Sequence, residues 1–593
     1  MRRVVLGALA VMAAYGGAVR AECRVDRIAE LPITMDGLRP LTKAQINGQD
    51  VTFIVATGLF YSSVSPAKAA ELGLKVEPLP PLSPTILVGG KDGRVGLTTV
   101  DTFAIAGTRT PRVEFLVLAH SGQETAGLLG QNILHLGDTE YDLAHGAVRL
   151  FQPHNCERRI LAYWARDIPI NSVELIGAGN INTQTATSVM VNGVRLKAKF
   201  DTAAGASLIT TQAAARAGLT SDMQGARFIG SSDGVGAKTH RTWVVPVASF
   251  KIGDEEIKTT YIKIGDYDLG EVDMLLGTDF FLSHRIYVAN SQQRIYFSYN
   301  GGGVFNLTAP AVNLQRPDDA AAASHDEPTD AEGFSRRGSA LAARQDYQGA
   351  IKDYTRAIEL TPTEGRYFYQ RAMANLGLKQ ANVAMNDLNA AIERRPKDAD
   401  ALVARGELKR AGHDRAGALR DFDAASLTLP IQADMRLRLA QNYELLERFD
   451  MAVNELDQWI PAHPDEAQST FAYNARCWSR ASLGRDLDKA LDDCNRSIRA
   501  ARNGNNLDSR GLVRLRRGEY DRAIEDYTAA IALNPKSAWS LYGRGLAKLY
   551  KGDKSGGEAD IAAAKAVTPT IADTARARGI TPPGEIIPAP PRP

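Results

Sequence analysis

The sequence predicts two similar all-β lobes in its N-terminal half and an all-α solenoid in its C-terminal half. Short β-leaning runs that end in related motifs occur twice, with Ala56 and Asp201 at matching places 145 residues apart. From Pro362 onward, prolines return at intervals of 34 residues, the period of a helix–turn–helix repeat. At 593 residues the chain is too long for one domain, and its formal net charge of +2 predicts no nucleic-acid partner.

Residues 1–21 have the composition of a signal peptide. Arg2 and Arg3 form a positive start, residues 4–14 are apolar but too short to cross a bilayer, and residues 19–21 (VRA) resemble a small-residue cleavage site. An uncleaved membrane anchor is the alternative interpretation. We therefore expect an exported mature chain, located in a bacterial periplasm, with no membrane span.

The N-terminal half is organised around residues 199–211 (KFDTAAGASLITT). An alternating run ends at Asp201-Thr202, and residues 274–281 (MLLGTDFF) form a second apolar segment. This pair resembles the retropepsin-like aspartic peptidases, in which Asp-Thr/Ser-Gly lies on a turn after a strand and a hydrophobic-hydrophobic-Gly segment packs beneath it. The resemblance implies that Asp201 is the catalytic acid with Thr202 beside it, and that Asp279 has a structural role.

An earlier copy of this pattern ends in Ala56-Thr57-Gly58 and is followed by residues 127–134 (GLLGQNIL). The motif and its apolar segment are 74 residues apart in the first copy (56 to 130) and 76 in the second (201 to 277). The two copies therefore resemble a covalent version of the family's dimer. The predicted lobes are residues 22–157 and 165–303.

The chemistry of this family requires two carboxylates. In aspartic peptidases two Asp side chains share one proton, because like charges so close together cannot both ionise. Lobe 2 supplies Asp201, but lobe 1 has Ala56, whose methyl group neither accepts nor donates a proton. Lobe 2 in turn has Ala203 where the family has glycine. The motif is therefore incomplete in both lobes.

Two functions remain open on this evidence. The first is an exported aspartic endopeptidase that uses Asp201 on a peptide or protein substrate, with the second carboxylate supplied by another copy in a homodimer. The second is a peptidase-like pseudoenzyme whose cleft binds an extended peptide as an added strand. We expect no cofactor and no metal, since the sequence has no H-E-x-x-H motif and no paired-cysteine zinc spacing.

Two glycine-containing segments lie where retropepsin-like lobes carry a flap, the hairpin that closes over the substrate. Lobe 1 has residues 86–93 (ILVGGKDG) and lobe 2 has residues 228–234 (FIGSSDG). An ordinary hairpin is the alternative in each lobe. The flap candidates are Gly89, Gly90, Gly230 and Ser231.

Four cysteines allow three pairings, and export permits disulfides. Cys23 and Cys156 bracket lobe 1, so a bond between them would join its two ends. Cys477 and Cys494 fall within one predicted helical hairpin. We favour the Cys23–Cys156 and Cys477–Cys494 pairing, with reduced, buried thiols as the alternative for the second pair.

The C-terminal half has the 34-residue signature of tetratricopeptide (TPR) repeats, which bind protein partners in a groove. We count seven repeats within residues 333–569, with an insertion in the fifth. Residues 304–332 form a proline-punctuated linker that is not expected to fold, and residues 570–593 form a capping helix and a proline-rich tail.

Within these repeats, an arginine on the first helix precedes an aspartate on the second by 16 residues in five cases. One interpretation is a series of helix–helix ion pairs. The other is an arginine-lined groove for an acidic peptide. The pairs are Arg337/Asp353, Arg371/Asp387, Arg405/Asp421, Arg510/Asp526 and Arg544/Asp560.

Overall fold

The computed structural model describes most of the chain. The described residues are 22–79, 95–119, 125–157, 159–165, 168–176, 185–233, 239–305, 327–463 and 467–585. The predicted signal peptide and most of the predicted linker lie outside them, as do residues 86–93 of the first predicted flap and the end of the proline-rich tail.

The N-terminal half of the described chain is built of 21 strands, numbered along the sequence. They are β1 (Arg24–Pro32), β2 (Thr34–Asp36), β3 (Arg39–Ile46), β4 (Gln49–Val55), β5 (Ser63–Val64), β6 (Glu77–Pro78), β7 (Gly96–Ile105), β8 (Thr108–Val117), β9 (Gly127–Leu129), β10 (Asp138–Asp142), β11 (Ala147–His154), β12 (Asn171–Glu174), β13 (Ala186–Val191), β14 (Val194–Phe200), β15 (Leu208–Thr210), β16 (Arg227–Asp233), β17 (Thr239–Ile252), β18 (Glu255–Gly265), β19 (Met274–Leu276), β20 (His284–Ala289) and β21 (Arg294–Tyr299).

Each lobe has its own sheet, and the two sheets share one topology. Lobe 1 has the strand order β2-β3-β4-β9-β5-β8-β7-β6, and lobe 2 has the order β13-β14-β19-β15-β18-β17-β16. The strand before each motif pairs in parallel with the apolar segment, β4 with β9 and β14 with β19. The repeat seen in the sequence is therefore a repeat of structure.

A third sheet joins the lobes. Its order is β1-β11-β10-β20-β21-β12, so three strands come from each lobe, and β10 pairs with β20 across the boundary. Inside this sheet, Glu140 is fully buried and accepts hydrogen bonds from Arg149 and Arg285, each at 2.8 Å. Breaking such a buried pair leaves an uncompensated charge, which strongly destabilises a protein. The two lobes are thus one folded unit.

Four short helices, numbered α1 to α4, lie in the lobes. The remaining fifteen described helices form the C-terminal half. In the lobes they are α1 (Pro66–Glu71), α2 (Gln131–Leu134), α3 (Thr211–Arg216) and α4 (Thr278–Ser283). In the C-terminal half they are α5 (Ala331–Ala343), α6 (Tyr347–Leu360), α7 (Gly365–Gly377), α8 (Ala381–Arg394), α9 (Ala399–Ala411), α10 (Arg415–Thr428), α11 (Met435–Leu445), α12 (Phe449–Ala462), α13 (Ala467–Leu483), α14 (Leu487–Ala500), α15 (Gly504–Arg516), α16 (Tyr520–Leu533), α17 (Ala538–Tyr550), α18 (Lys554–Val567) and α19 (Ile571–Ala577).

Helices α5 to α18 make seven consecutive pairs, and α19 follows them as a short end helix. The small residues that recur in phase allow each pair to pack closely. A methyl group added at Gly406 would lie 2.5 Å from the ring of Phe422, and one added at Gly511 would lie 2.8 Å from the ring of Tyr527. The expected fold class, all-β tandem lobes followed by an all-α solenoid, is confirmed.

All five arginine–aspartate pairs are bidentate ion pairs within one helix pair. In each, Nε and Nη2 of the arginine donate to the two carboxylate oxygens, at distances between 2.7 and 3.1 Å. This agrees with the ion-pair interpretation. These arginines are already paired, so they do not form an open surface for an acidic peptide.

Both disulfides follow the favoured pairing, Cys23 with Cys156 and Cys477 with Cys494. The second joins α13 to α14 across one helix pair. No helix in the described part of the chain combines the length and apolarity needed to cross a membrane.

The solenoid packs back onto lobe 1. The Met35 N–H donates to Ser339 Oγ at 2.9 Å, and Ala340 of α5 belongs to the same apolar cluster as the lobe cores. The turn between β2 and β3 also reaches α9: burial and Asp398 raise the pKa of Asp400 to about 6, and Asp36 adds to the rise. The sequence gave no indication of this contact.

Candidate active site

Two threonines interlock the lobes where the two motifs meet. Thr202 Oγ1 accepts a hydrogen bond from the Thr57 N–H at 3.1 Å and donates to the Val55 carbonyl at 2.5 Å. In the reciprocal direction, Thr57 Oγ1 accepts from the Thr202 N–H at 3.0 Å and donates to the Phe200 carbonyl at 2.9 Å. Both side chains are buried. These four bonds fix the turn of each lobe against the other.

Asp201 lies at the end of β14, beside the opposite lobe's turn. Its Oδ1 accepts a hydrogen bond from the Ala203 N–H at 3.0 Å. Gly58 lies directly against the carboxylate, since a methyl group added at Gly58 would be 2.1 Å from Asp201 Cγ. Burial raises the pKa of Asp201, while the charge of Lys199 and the N–H groups of Ala203, Gly58 and Ala204 oppose the rise.

Ala56 holds in lobe 1 the place that Asp201 holds in lobe 2. The Ala56 N–H donates to the Leu129 carbonyl at 2.9 Å, just as the Asp201 N–H donates to the Leu276 carbonyl at 2.9 Å. Ala56 is fully buried and packs in an apolar cluster with Ile54. The site therefore presents one carboxylate and, at the equivalent position, one methyl group.

Ala203 is accommodated where the family has glycine. The residue is exposed and is absent from the described non-glycine residues with positive φ. Its backbone N–H still reaches the carboxylate of Asp201. The turn therefore keeps its hydrogen bond to the acid without a glycine.

Asp279 lies beneath the site and holds the turn from below. Asp279 Oδ1 accepts hydrogen bonds from Ser207 Oγ at 2.6 Å and from the Ser207 N–H at 2.9 Å. Lobe 1 makes the same contacts with Asn132 Oδ1, which accepts from Ser62 Oγ at 2.7 Å and from the Ser62 N–H at 2.8 Å. Burial raises the pKa of Asp279 to about 6. Its contacts are those of a structural residue.

Lys199 is a site residue that the sequence analysis did not identify. Lys199 Nζ donates to the Gly58 carbonyl at 3.1 Å, across the lobe boundary, and its charge lowers the pKa of Asp201. The signal for it was the period of a strand, because residues two apart point to the same face. Lobe 1 has Ile54 at this position, in the apolar cluster of Ala56.

Gly230 and Ser231 lie in a hairpin formed by β16 and β17, with Gly230 paired to Thr242 and Ser231 to Arg241. Gly230 has a φ of +104°, a conformation that glycine adopts without strain, at a register shift in the strand pair. Beside it, Phe228 is exposed. Whether this hairpin acts as a flap stays a prediction, and Gly89 and Gly90 lie outside the described residues.

Comparison with protein families agrees with this architecture. The aspartyl protease family matches residues 42–133 and 187–280, one segment in each lobe. Tetratricopeptide repeat families match residues 331–364 and 511–552, at the two ends of the solenoid.

Individual relatives share only part of the chain. Human tetratricopeptide repeat protein 6 is 27% identical over 186 residues, which cover 31% of this chain and 35% of the relative. Rat serine/threonine-protein phosphatase 5 is 29% identical over 142 residues, which cover 22% of this chain and 27% of the relative. The chain thus spans about a third or less of the length of these curated relatives.

Among solved structures, a tetratricopeptide repeat protein from Parabacteroides merdae has a TM-score of 0.30 at 15% identity, covering 42% of this chain and 98% of that one. The C-terminal part of a TPR repeat-containing protein from Cytophaga hutchinsonii also has a TM-score of 0.30 at 15% identity, covering 41% and 97%. Taken with the topology and the family matches, this chain carries a retropepsin-like aspartyl protease domain in two lobes, followed by tetratricopeptide repeats.

Proposed function

We propose that this protein is an exported peptide-binding protein that uses the cleft of an aspartic peptidase without its proteolytic chemistry. The TPR solenoid would supply a second surface for a protein partner. Export rests on the composition of residues 1–21, and a bacterial periplasm is the proposed location. In this proposal Asp201 is a polar anchor for the bound peptide, and the two lobes hold the peptide as an added strand.

The observation that carries the proposal is the methyl group of Ala56. In the aspartic peptidase mechanism one carboxylate takes a proton from water while the other, protonated, polarises the scissile carbonyl. Ala56 has the backbone position of the second acid, but its side chain is buried in an apolar cluster. It can perform neither half of this exchange, so a single acid remains.

The contacts between the lobes argue against a second carboxylate from another copy. Thr202 is fully buried against lobe 1, with hydrogen bonds to Thr57 and Val55. If lobe 2 paired with lobe 2 of another molecule, these bonds and the β10–β20 pairing would have to break. We therefore propose that the site works within one chain, without a homodimer.

A second candidate function is hydrolysis by Asp201 together with Lys199. The observation that favours it is a cation beside the acid, with Lys199 Nζ held at 3.1 Å from the Gly58 carbonyl. Asp201 would take a proton from water as the water oxygen attacks the peptide carbonyl carbon, and the Lys199 ammonium would stabilise the oxyanion. On collapse the C–N bond would break, and Asp201 would return the proton to the leaving nitrogen.

The test is incubation of the purified mature protein with a mixed peptide library, from acid to neutral pH. Peptide retention and peptide cleavage are both measured by mass spectrometry. We expect wild-type protein and Asp201→Asn to cleave nothing and wild-type protein to retain a subset of peptides. Ala56→Asp should gain cleavage at acid pH, because it restores the carboxylate pair, and Ala56→Asp/Asp201→Asn should lose it again.

Other outcomes separate the alternatives. Cleavage by wild-type protein that disappears in Asp201→Asn would overturn the non-proteolytic proposal. Loss of that cleavage in Lys199→Met would then support the second candidate. Specific activity that rises with protein concentration would support the homodimer instead. Retention of no peptide by wild-type protein would overturn the binding function.

A further inference from the structure

The last repeats of the solenoid enclose an arginine from the chain's own C-terminal segment. The Arg578 guanidinium carbon lies 4.9 Å from the ring centroid of Phe449, 5.7 Å from that of Trp478 and 4.7 Å from that of Trp539. Arg578 Nη2 also donates to Glu447 Oε1 at 2.8 Å. We call Phe449, Trp478, Trp539 and Glu447 the arginine cage, and residues 571–585 the cis segment.

The cage is more extensive than an end cap requires. A solenoid needs its last repeat covered, and Ile571, Ala575 and Ile580 do this by packing into the apolar cluster of the last repeats. The cage residues instead come from the fourth repeat (447 and 449), the fifth (478) and the seventh (539). Covering α17 and α18 does not require a guanidinium that reaches back three repeats.

The cis segment is also held by its backbone, as a bound peptide would be. Arg516 donates to the carbonyls of Arg578 at 2.5 Å and Gly579 at 3.2 Å. Tyr550 Oη donates to the Thr581 carbonyl at 2.9 Å. Backbone contacts of this kind accept many sequences, so the cage supplies the contact that selects a side chain.

The chemistry of the cage fits arginine better than lysine. A guanidinium is planar, stacks on aromatic faces and keeps its in-plane donors free for a carboxylate. Within the described residues, Nε and Nη1 of Arg578 have no hydrogen-bond partner, so the resident arginine leaves part of its donor capacity unused. Nearby, burial raises the pKa of Glu444 to about 7, and the positive charge of Arg578 opposes the rise.

We propose that the arginine cage is a binding site for an arginine-bearing segment of a partner protein, and that the cis segment occupies it until that partner displaces it. This goes beyond the proposed function of the cleft, and neither depends on the other. Because the cis segment is tethered, its effective concentration is high, so a partner must bind with more than the arginine alone.

The test uses the full mature chain and a fluorescein-labelled synthetic peptide with the sequence of residues 571–585, followed by fluorescence anisotropy. An occupied site lowers apparent affinity by the fraction of sites that are open. We expect the peptide to bind Arg578→Ala protein about tenfold or more tightly than wild-type protein, as follows if the cis segment fills some nine-tenths of the cages. Arg576→Ala is the matched control, since Arg576 pairs with Asp573 and Glu585 outside the cage.

Peptide variants test the chemistry of the site. Peptide carrying alanine at 578 should not bind Arg578→Ala protein, and peptide carrying lysine there should bind more weakly than the arginine form. Equal binding of the labelled peptide to wild-type and Arg578→Ala proteins would overturn the proposal, as would equal binding of the arginine and alanine peptides. If Arg578→Ala does not fold, as judged by circular dichroism, Ile580→Ser takes its place, because it loosens the cis segment and leaves the cage intact, with the same expected and contrary results.

Discussion

The joint between the lobes gives the sharpest prediction about the N-terminal domain. Thr202→Val keeps the shape of the side chain and removes only its hydroxyl. It deletes the bond accepted from the Thr57 N–H and the bond donated to the Val55 carbonyl, and both partners are left in a buried environment. A lost hydrogen bond that leaves a buried group unsatisfied costs about 1–3 kcal/mol, so the two together should cost about 2–4 kcal/mol after partial relaxation.

Hydrogen–deuterium exchange read by mass spectrometry is the assay, because it reports the opening of each lobe separately in a protein with several domains. We expect faster exchange in both β4 and β14, although the substitution is in one lobe only. The matched control is Thr278→Val, since Thr278 is also fully buried but makes its one bond to the Thr202 carbonyl within the same lobe. That variant should cost about 1 kcal/mol.

Two results would refute this reasoning. Faster exchange confined to lobe 2 would mean that Thr202 does not join the lobes. A Thr202→Val effect no larger than that of Thr278→Val would mean that the bonds across the boundary carry no special weight. Either result would also reopen the possibility that lobe 2 pairs with another copy.

Three further predictions concern buried charges. Asp279→Asn should raise stability by up to about 3 kcal/mol above pH 6 and have little effect below pH 4, because a pKa raised to about 6 penalises the folded state once the group ionises; thermal unfolding against pH checks this, and a loss of stability at pH 7 would contradict it. Asp201→Asn should stabilise in the same direction, since burial raises the pKa of Asp201, with the gain over wild type growing as pH rises from 3 to 7; a gain that is independent of pH would argue against an ionised Asp201. In the solenoid, Arg371→Leu should lower the melting temperature more than Arg405→Leu, by about 1–2 kcal/mol in stability, because Lys409 still pairs with the second aspartate at 2.8 Å; equal losses would contradict this compensation.

The sequence by itself determined the two halves and their repeats. Each lobe must place its motif after a strand that pairs with a short apolar segment, and this demand is visible as two copies with nearly equal spacing. The 34-residue period has the same origin, since every helix pair needs a small residue at one contact and a large one opposite it. Local pattern is sufficient where each unit repeats the same packing.

The tertiary structure alone decided what surrounds the acid and what fills the solenoid. Lys199 and Gly58 are 141 positions apart in sequence, so no local pattern could place the ammonium across the boundary from the other lobe. Arg578 and Glu447 are 131 positions apart, and their contact depends on how tightly the repeats coil. Such contacts arise from the sum of many small rotations between packed units, which no single stretch of sequence encodes.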